Sequence, residues 1–149
     1  MQDMINWELK SYDELSSDLL YLILKIRQEV FIIEQKCNYL DADNLDQYSK
    51  HLIGFKDEKI VAYMRIVDSN KLYEHVSFGR ILVIKEYRGV GLGIDLMNQA
   101  LRMISVPGDS IIMSAQSYLI DFYKKFEFNT IGEEYLEDNI PHIKMIRNG

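Results

Sequence analysis

A glycine-rich turn between an apolar strand and a helix is the feature that most restricts how this chain folds. The run from Arg88 to Gly93 has glycine at positions 89, 91 and 93, between the apolar segment 78–84 and the helically spaced residues 94–104. Glycine permits positive φ and a close approach of another group to the backbone. A helix N-terminus adds N–H groups without intrahelical partners and a partial positive charge. Together they predict a pocket for a phosphate group.

Three interpretations of this turn compete. A dinucleotide-binding fingerprint requires Gly-x-Gly-x-x-Gly after the first strand, whereas this spacing is Gly-x-Gly-x-Gly and lies past the middle of the chain. A Walker-type loop requires Gly-Lys-Ser/Thr, which is absent. A flexible turn that binds nothing is the third interpretation, and the glycines alone leave it open.

Composition and charge exclude several other classes. A chain of 149 residues suits one domain over residues 1–149. The single Cys37 excludes an intramolecular disulfide and a cysteine-based zinc site, and we expect no metal. No signal peptide is recognisable, and no apolar run is long enough for a membrane span, so we expect a cytoplasmic protein that does not interact with membranes. A net charge of −6 without a Lys/Arg cluster argues against nucleic acid as a partner.

Hydrophobic periodicity predicts an α/β fold. It predicts, in order, a short strand, a long helix, a hairpin, the strand 78–84, a helix ended by Pro107 and Gly108, the strand 110–114, a helix over 117–126 and two final strands. The long helix ends near Glu34, and an acidic loop over 38–49 follows it. Strand, helix and strand across 78–114 predict a right-handed parallel crossover in a mixed sheet.

The glycine-rich turn also resembles a family signature. Arg88-Gly89-Val90-Gly91-Leu92-Gly93 fits the Arg/Gln-x-x-Gly-x-Gly/Ala signature of the GNAT acetyltransferases, and Tyr123 stands in a segment like the family's second motif. The runs 27–35 and 132–143 are similar to the ElaA-like branch of that family. This resemblance implies a mostly antiparallel twisted sheet with a central splayed parallel strand pair and flanking helices.

The resemblance also implies a function. GNAT enzymes transfer an acetyl group from acetyl-CoA to an amine, and we expect a primary amine of a small molecule that attacks directly in a ternary complex. A protein N-acetyltransferase and a non-catalytic acyl-CoA-binding module are the alternatives. A homodimer through exposed edge strands is permitted by the sequence.

The resemblance assigns the acyl-CoA site residue by residue. A backbone N–H, that of Val83, would stabilise the oxyanion of the tetrahedral intermediate, and Tyr123 would be the general acid. Gln116 stands where many members have Asn, and its amide can still bind the pantetheine arm. The residues expected to contact acetyl-CoA are Ile81, Leu82, Val83, Arg88, Gly89, Val90, Gly91, Leu92, Gly93, Gln116 and Tyr123.

The acceptor side is less defined by the sequence. An alkylamine has a pKa of about 10, so the reaction needs a base. Glu34, at the end of an apolar helix, is the predicted catalytic base, whereas Arg80, Asp43 and His142 are predicted to bind the acceptor. Further candidates for the base are Asp43, Asp46, His51, Glu133, Glu134 and His142.

The acidic loop is interpreted most simply as a solvated face, or functionally as an attraction for a cationic acceptor. Arg27, Arg65 and Arg80 are expected to pair with Glu34 or with this loop if they are buried.

Overall fold

The computed structural model describes residues 4–104 and 108–149. These residues form a seven-stranded sheet in the order β1-β2-β3-β4-β5-β7-β6. The strands are Asn6–Ser11 (β1), Ser49–Lys56 (β2), Lys59–Val67 (β3), Val76–Val83 (β4), Ile111–Gln116 (β5), Asn129–Glu137 (β6) and Ile140–Arg147 (β7). The helices are Ser17–Arg27 (α1), Leu92–Ile104 (α2) and Ile120–Lys124 (α3).

The sheet is antiparallel except at its centre. β4 and β5 are parallel and are joined by the crossover helix α2, whereas every other neighbouring pair is antiparallel. All residues of β3 after Lys59 are buried, and both α1 and α2 contact this strand. Since side chains alternate between the faces of a sheet, β3 is covered on both faces. The predicted mixed α/β sheet and its parallel crossover are confirmed.

The helices follow from local sequence signals. Ser16 caps α1 by accepting a hydrogen bond from the N–H of Leu19 at 3.1 Å. In α2 the buried residues recur at three- and four-residue spacing and pack into the core: Leu92, Leu96, Met97 and Ala100. Within the described residues no helix has the length and apolarity needed to cross a membrane. Pro107, half of the predicted helix stop, lies outside the described residues.

The predicted long helix is two segments in the structure. The α-helix ends at Arg27, and the chain continues as a π-helical segment over Gln28–Glu34. Its last turn includes a bond from the N–H of Cys37 to the carbonyl of Ile32, five residues earlier. The predicted end near Glu34 is confirmed, whereas the change of helix type was not predicted. The wider turns place Val30 in the core and Glu34 at the surface.

Strand β4 contains an extra residue. Tyr63 pairs with Leu82 and Arg65 pairs with Gly79, so two steps along β3 correspond to three along β4. Arg80 lies in this bulge with a φ of +50°. Beyond the bulge β4 no longer pairs with β5. The pairing of the two strands covers only Val76–Phe78 and Ile111–Met113. The two central strands therefore separate toward their carboxyl ends.

Packing of α2 against the sheet predicts a large effect of Leu96→Ala. Leu96 is fully buried, and alanine favours the helix, so the substitution removes packing alone. We expect the free energy of unfolding to fall by about 2–5 kcal/mol in urea titrations. The control Asn98→Ala, on the exposed side of the same helix, should change it by less than about 0.5 kcal/mol. Equal small effects of both substitutions would contradict the packing of this helix.

Candidate functional site: the cleft between the separated strands

A cleft of about 620 Å³ opens where β4 separates from β5. Ile81–Val83 form one wall and Ser114–Gln116 form the other. The structure brings most of the predicted site residues to this cleft. Those that line it are Glu34, Asp43, Arg80, Ile81, Leu82, Val83, Arg88, Gln116, Tyr123 and His142.

The peptide groups of Val83 point into the cleft. The N–H of Ile84 donates to the carbonyl of Val61 on β3 at 3.0 Å. Because successive residues of a strand direct their N–H groups to opposite sides, the N–H and carbonyl of Val83 face away from β3. On that side β5 has already diverged, and the carbonyl of Val83 accepts a hydrogen bond from Nε of Arg88 at 2.8 Å instead. The end of β4 thus offers an extended amide-containing molecule a strand edge that does not pair with β5, with the N–H of Val83 facing the cleft.

The glycine-rich turn has the geometry of an anion site. Gly89 and Gly91 have φ of +80° and +87°, and a Cβ at either position would meet no heavy atom within 4 Å. The turn is therefore open on that side, and its conformation favours glycine. The first N–H groups of α2, from Leu92 onward, lack intrahelical partners and carry the positive end of the helix dipole. The predicted residues 88–93 fit a pyrophosphate group.

Glu34 pairs with the first residue of this turn. Both carboxylate oxygens of Glu34 accept hydrogen bonds from the Arg88 guanidinium. Nη2 donates to Oε2 at 2.9 Å, and Nη1 donates to Oε1. These hydrogen bonds hold the pKa of Glu34 below its usual value. A carboxylate with a lowered pKa is a weak proton acceptor. The geometry therefore favours a role for Glu34 in orienting Arg88 over the predicted role as catalytic base.

Tyr123 is an almost completely buried member of the cleft wall. It packs edge-to-face against Phe122 and Phe128, and 6% of its surface is exposed. Burial raises the pKa of its hydroxyl above the usual tyrosine value. The hydroxyl therefore stays protonated at neutral pH, as a proton donor requires.

A largely buried group of three arginines and three aspartates, which we call the Arg–Asp cluster, borders the other end of the cleft. Its members are Arg27, Asp41, Asp43, Asp46, Arg65 and Arg80. Asp46 accepts from Arg27 at 2.7 Å and from Arg65 at 3.0 Å, while Asp41 accepts from Arg27 and Arg80, both at 2.8 Å. The side chain of Arg27 is completely buried. The cluster fixes the acidic loop against β3 and β4.

Asp43 and Asp46 remain charged although both are at least partly buried. Burial alone would raise the pKa of Asp43 and Asp46, but hydrogen bonds from the arginines lower both below the ordinary value. His51 lies beside them with both ring nitrogens occupied: Nε2 donates to the carbonyl of Asp46 at 3.0 Å, and Nδ1 accepts from the hydroxyl of Tyr63 at 2.6 Å. Burial lowers the pKa of His51. These groups are engaged with one another, so they are poor candidates for the base.

The expectation that the acidic loop is a solvated face is wrong. Asp41 and Asp46 are buried, because the loop folds inward to neutralise the arginines of β3 and β4. Of the two partners expected for the arginines, Glu34 or this loop, the structure shows the loop for Arg27, Arg65 and Arg80. Glu133 and Glu134, two further candidates for the base, are exposed on β6 and lie outside the cleft lining.

Sequence reasoning missed several residues of the cleft. Gln35 accepts a hydrogen bond from the predicted Gln116 at 3.4 Å, and the hydroxyl of Ser114 contacts that of Tyr135, which lies outside the cleft lining. Glu137 lies 3.4 Å from His142. The sequence predicted the final hairpin but not the contact between Glu137 and His142, because cross-strand neighbours cannot be assigned until the register is known.

Comparisons with known proteins agree with this geometry. The family model described as an acetyltransferase (GNAT) domain matches residues 17–148. An acyl-CoA N-acyltransferase from Pseudomonas aeruginosa has a similar crystal structure, with 36% identity, a TM-score of 0.89 and coverage of 97% of this chain and 99% of that one. For the crystal structure of Escherichia coli ElaA the identity is 38%, the TM-score 0.91, and the coverage 97% and 100%. A UPF0039 protein of Synechocystis sp. is 39% identical over 145 residues, 95% of this chain and 94% of that protein.

The Arg–Asp cluster predicts a strong effect of Asp46→Asn on stability. The substitution removes the negative charge that faces both Arg27 and Arg65, so we expect the free energy of unfolding to fall by about 3–5 kcal/mol at pH 7. Since the folded-state pKa of Asp46 is lowered, its contribution is complete above about pH 5 and is lost as the pH falls through that lowered value. Urea titrations at several pH values should show the difference between the variant and the wild type shrinking in acid.

Asp68→Asn is the matched control, because Asp68 is exposed in the turn after β3. It should leave stability within about 0.5 kcal/mol of the wild type. If Asp46→Asn had an effect as small as this, the cluster would not support the loop.

Proposed function

This chain belongs to the GNAT acetyltransferase family and is homologous to ElaA, and we propose that it transfers the acetyl group of acetyl-CoA to a primary amine of a small molecule. Membership of the family makes the chain an acyltransferase that uses an acyl-CoA and an acceptor. The observation that carries the finer proposal is the free edge of Val83, which faces the same cleft as Tyr123.

The chain has a suitable surface for each part of acetyl-CoA. The N–H groups of residues 88–93 would hold the pyrophosphate at the start of α2. The pantetheine arm contains two amides and would lie along Ile81–Val83, where it would pair as an added strand, with Gln116 on the opposite wall. The acetyl group would then reach the end of the cleft that the Arg–Asp cluster borders.

Two groups of the chain act on the reacting atoms in this proposal. The N–H of Val83 donates to the carbonyl oxygen of the thioester and stabilises the negative charge that develops when the amine attacks. Tyr123 gives its proton to the sulfur as the C–S bond breaks. Binding both reactants in one cleft supplies the remaining acceleration by orienting them.

The acceptor would occupy the far end of the cleft, near Arg80, Asp43 and His142. The cleft of about 620 Å³ would hold the pantetheine arm as well as the acceptor, and the room left for the acceptor suits a small amine. Arg65 also lines this end, and its buried Nε has no hydrogen-bond partner within the described part of the chain.

Release of free CoA tests this function. The purified chain should release CoA from acetyl-CoA only when a primary amine is present, and mass spectrometry should find a mass increase of one acetyl group on the amine. A panel of polyamines, amino acids, aminoglycosides and lysine peptides separates the alternatives. Transfer to peptides alone would indicate a protein N-acetyltransferase, and tight acetyl-CoA binding without transfer to any amine would contradict the proposed reaction.

The proposed acid predicts the kinetics of Tyr123→Phe. Phenylalanine keeps the aromatic packing against Phe122 and Phe128 but removes the proton, so kcat should fall by about 10²- to 10⁴-fold while the fold is retained. Steady-state CoA release and a thermal melt measure the two properties. The control Tyr21→Phe, on the exposed face of α1, should match the wild type. An unchanged kcat in Tyr123→Phe would exclude the acid role.

A further inference from the structure

The proposed reaction still requires a group that takes a proton from the acceptor. An alkylammonium group cannot attack a thioester until it loses a proton. Two carboxylates on the cleft wall already form ion pairs. Glu34 is paired with Arg88, and Asp43 is paired with Arg65 and Arg80. Asp138 is exposed in the turn between β6 and β7. His142, with its neighbour Glu137, remains.

The hydrogen bonds of His142 leave one ring nitrogen available. Nδ1 lies 2.7 Å from the carbonyl oxygen of Ile140. A carbonyl only accepts hydrogen bonds, so Nδ1 carries the proton and Nε2 of the neutral ring carries the lone pair. Nε2 lies 3.4 Å from a carboxylate oxygen of Glu137. A proton that arrives at Nε2 therefore forms an ion pair with this carboxylate.

The register of the sheet determines the position of the His142 ring. His142 lies directly opposite Gln116 on β5 and Tyr135 on β6, so all three side chains lie on the same face. The ring of Tyr135 stacks on that of His142 with an interplanar angle of 24°. His142 is 7% exposed, yet it lines the cleft that contains Val83 and Tyr123. The ring is thus packed in one orientation on the wall of the cleft that also contains Val83 and Tyr123.

The titratable groups around His142 come from several elements of the fold. Glu137 lies 3.4 Å from Nε2, and the ring of Tyr135 stacks on the imidazole. Lys144, two residues after His142 on β7 and on the same face, lies over the ring of Tyr73, 5.0 Å from its centroid. The titratable groups that face this corner from the surrounding elements are Tyr73, Tyr135, Glu137, Asp138 and Lys144.

We propose that Nε2 of His142 is the general base of the transfer and that Glu137 is a positioning residue that stabilises the imidazolium. The inference rests on the proposed function. Nε2 takes one proton from the ammonium group, and the nitrogen lone pair then forms the C–N bond while the carbonyl electron pair moves to oxygen. That pair returns as the C–S bond breaks, and the sulfur takes the proton of Tyr123. The new amide gives its excess proton to the tyrosinate through solvent, and His142 releases its own proton, so one proton leaves per turnover.

A pair of acceptors that differ in basicity tests His142 directly. The best alkylamine of the panel is compared with its fluorinated analogue that carries a trifluoromethyl group on the amine-bearing carbon, which is largely neutral at the assay pH. His142→Gln should lower kcat/KM for the alkylamine by about 10²- to 10⁴-fold and leave the fluorinated amine within about tenfold of the wild type. His75→Gln, outside the cleft lining, is the matched control and should change neither rate.

Glu137 provides an independent measurement. Wild-type kcat/KM for the alkylamine should fall in acid as Nε2 becomes protonated. In Glu137→Gln this fall should move to lower pH, because the imidazolium has lost its carboxylate partner. Imidazole added to His142→Ala should restore part of the rate with the alkylamine, which a purely structural role of the ring does not predict.

The possible outcomes separate this inference from the function itself. If the wild type transfers acetyl groups but His142→Gln slows both amines equally, or neither, His142 is not the base. Should that variant not fold, an unmoved pH profile in Glu137→Gln overturns the inference. A wild type that binds acetyl-CoA and acetylates no amine would overturn the proposed function and the base with it.

Discussion

The separation of β4 from β5 is the constraint on which the site depends. Parallel neighbours normally satisfy each other's peptide groups along their whole length, but here the bulge at Arg80 ends the pairing at Phe78. The peptide groups of Val83 are left facing a cleft instead of a strand. An unpaired strand edge inside a sheet is costly unless something occupies it, and an extended amide-containing ligand is a suitable occupant.

The Arg–Asp cluster supports the bulge that creates this separation. A positive φ is unfavourable for arginine, so the conformation of Arg80 has to be stabilised by its surroundings. Its guanidinium donates to the carboxylate and the carbonyl of Asp41, which is itself held by the buried Arg27. The acidic loop, the helix α1 and the strand β4 thus meet at one set of charges. A substitution that moves the acidic loop would therefore also move Arg80 and alter the cleft.

The sequence predicted the elements with regular patterns and missed those that depend on register. Apolar spacing and the glycine turn were sufficient for the sheet, the crossover and the start of α2. The same pattern could not show that the helix after Arg27 widens into a π-helical segment, because apolar residues three and four apart fit both forms. The acidic loop was predicted to be solvated, since only the fold brings Arg65 and Arg80 against it. Likewise, Glu137 and His142 become neighbours through the pairing of β6 and β7.

The distribution of charge reconciles an acidic chain with an anionic substrate and a cationic one. The Arg–Asp cluster contains equal numbers of both charges, so the acidic loop adds little net potential to the cleft. The phosphate end relies on backbone N–H groups of the glycine turn, which the net charge of −6 does not alter. Exposed acidity lies instead on the β6–β7 hairpin, at Glu133, Glu134, Glu137 and Asp138. Charges act within about 8 Å at physiological salt, so this hairpin would attract a cationic amine to the part of the cleft that His142 lines.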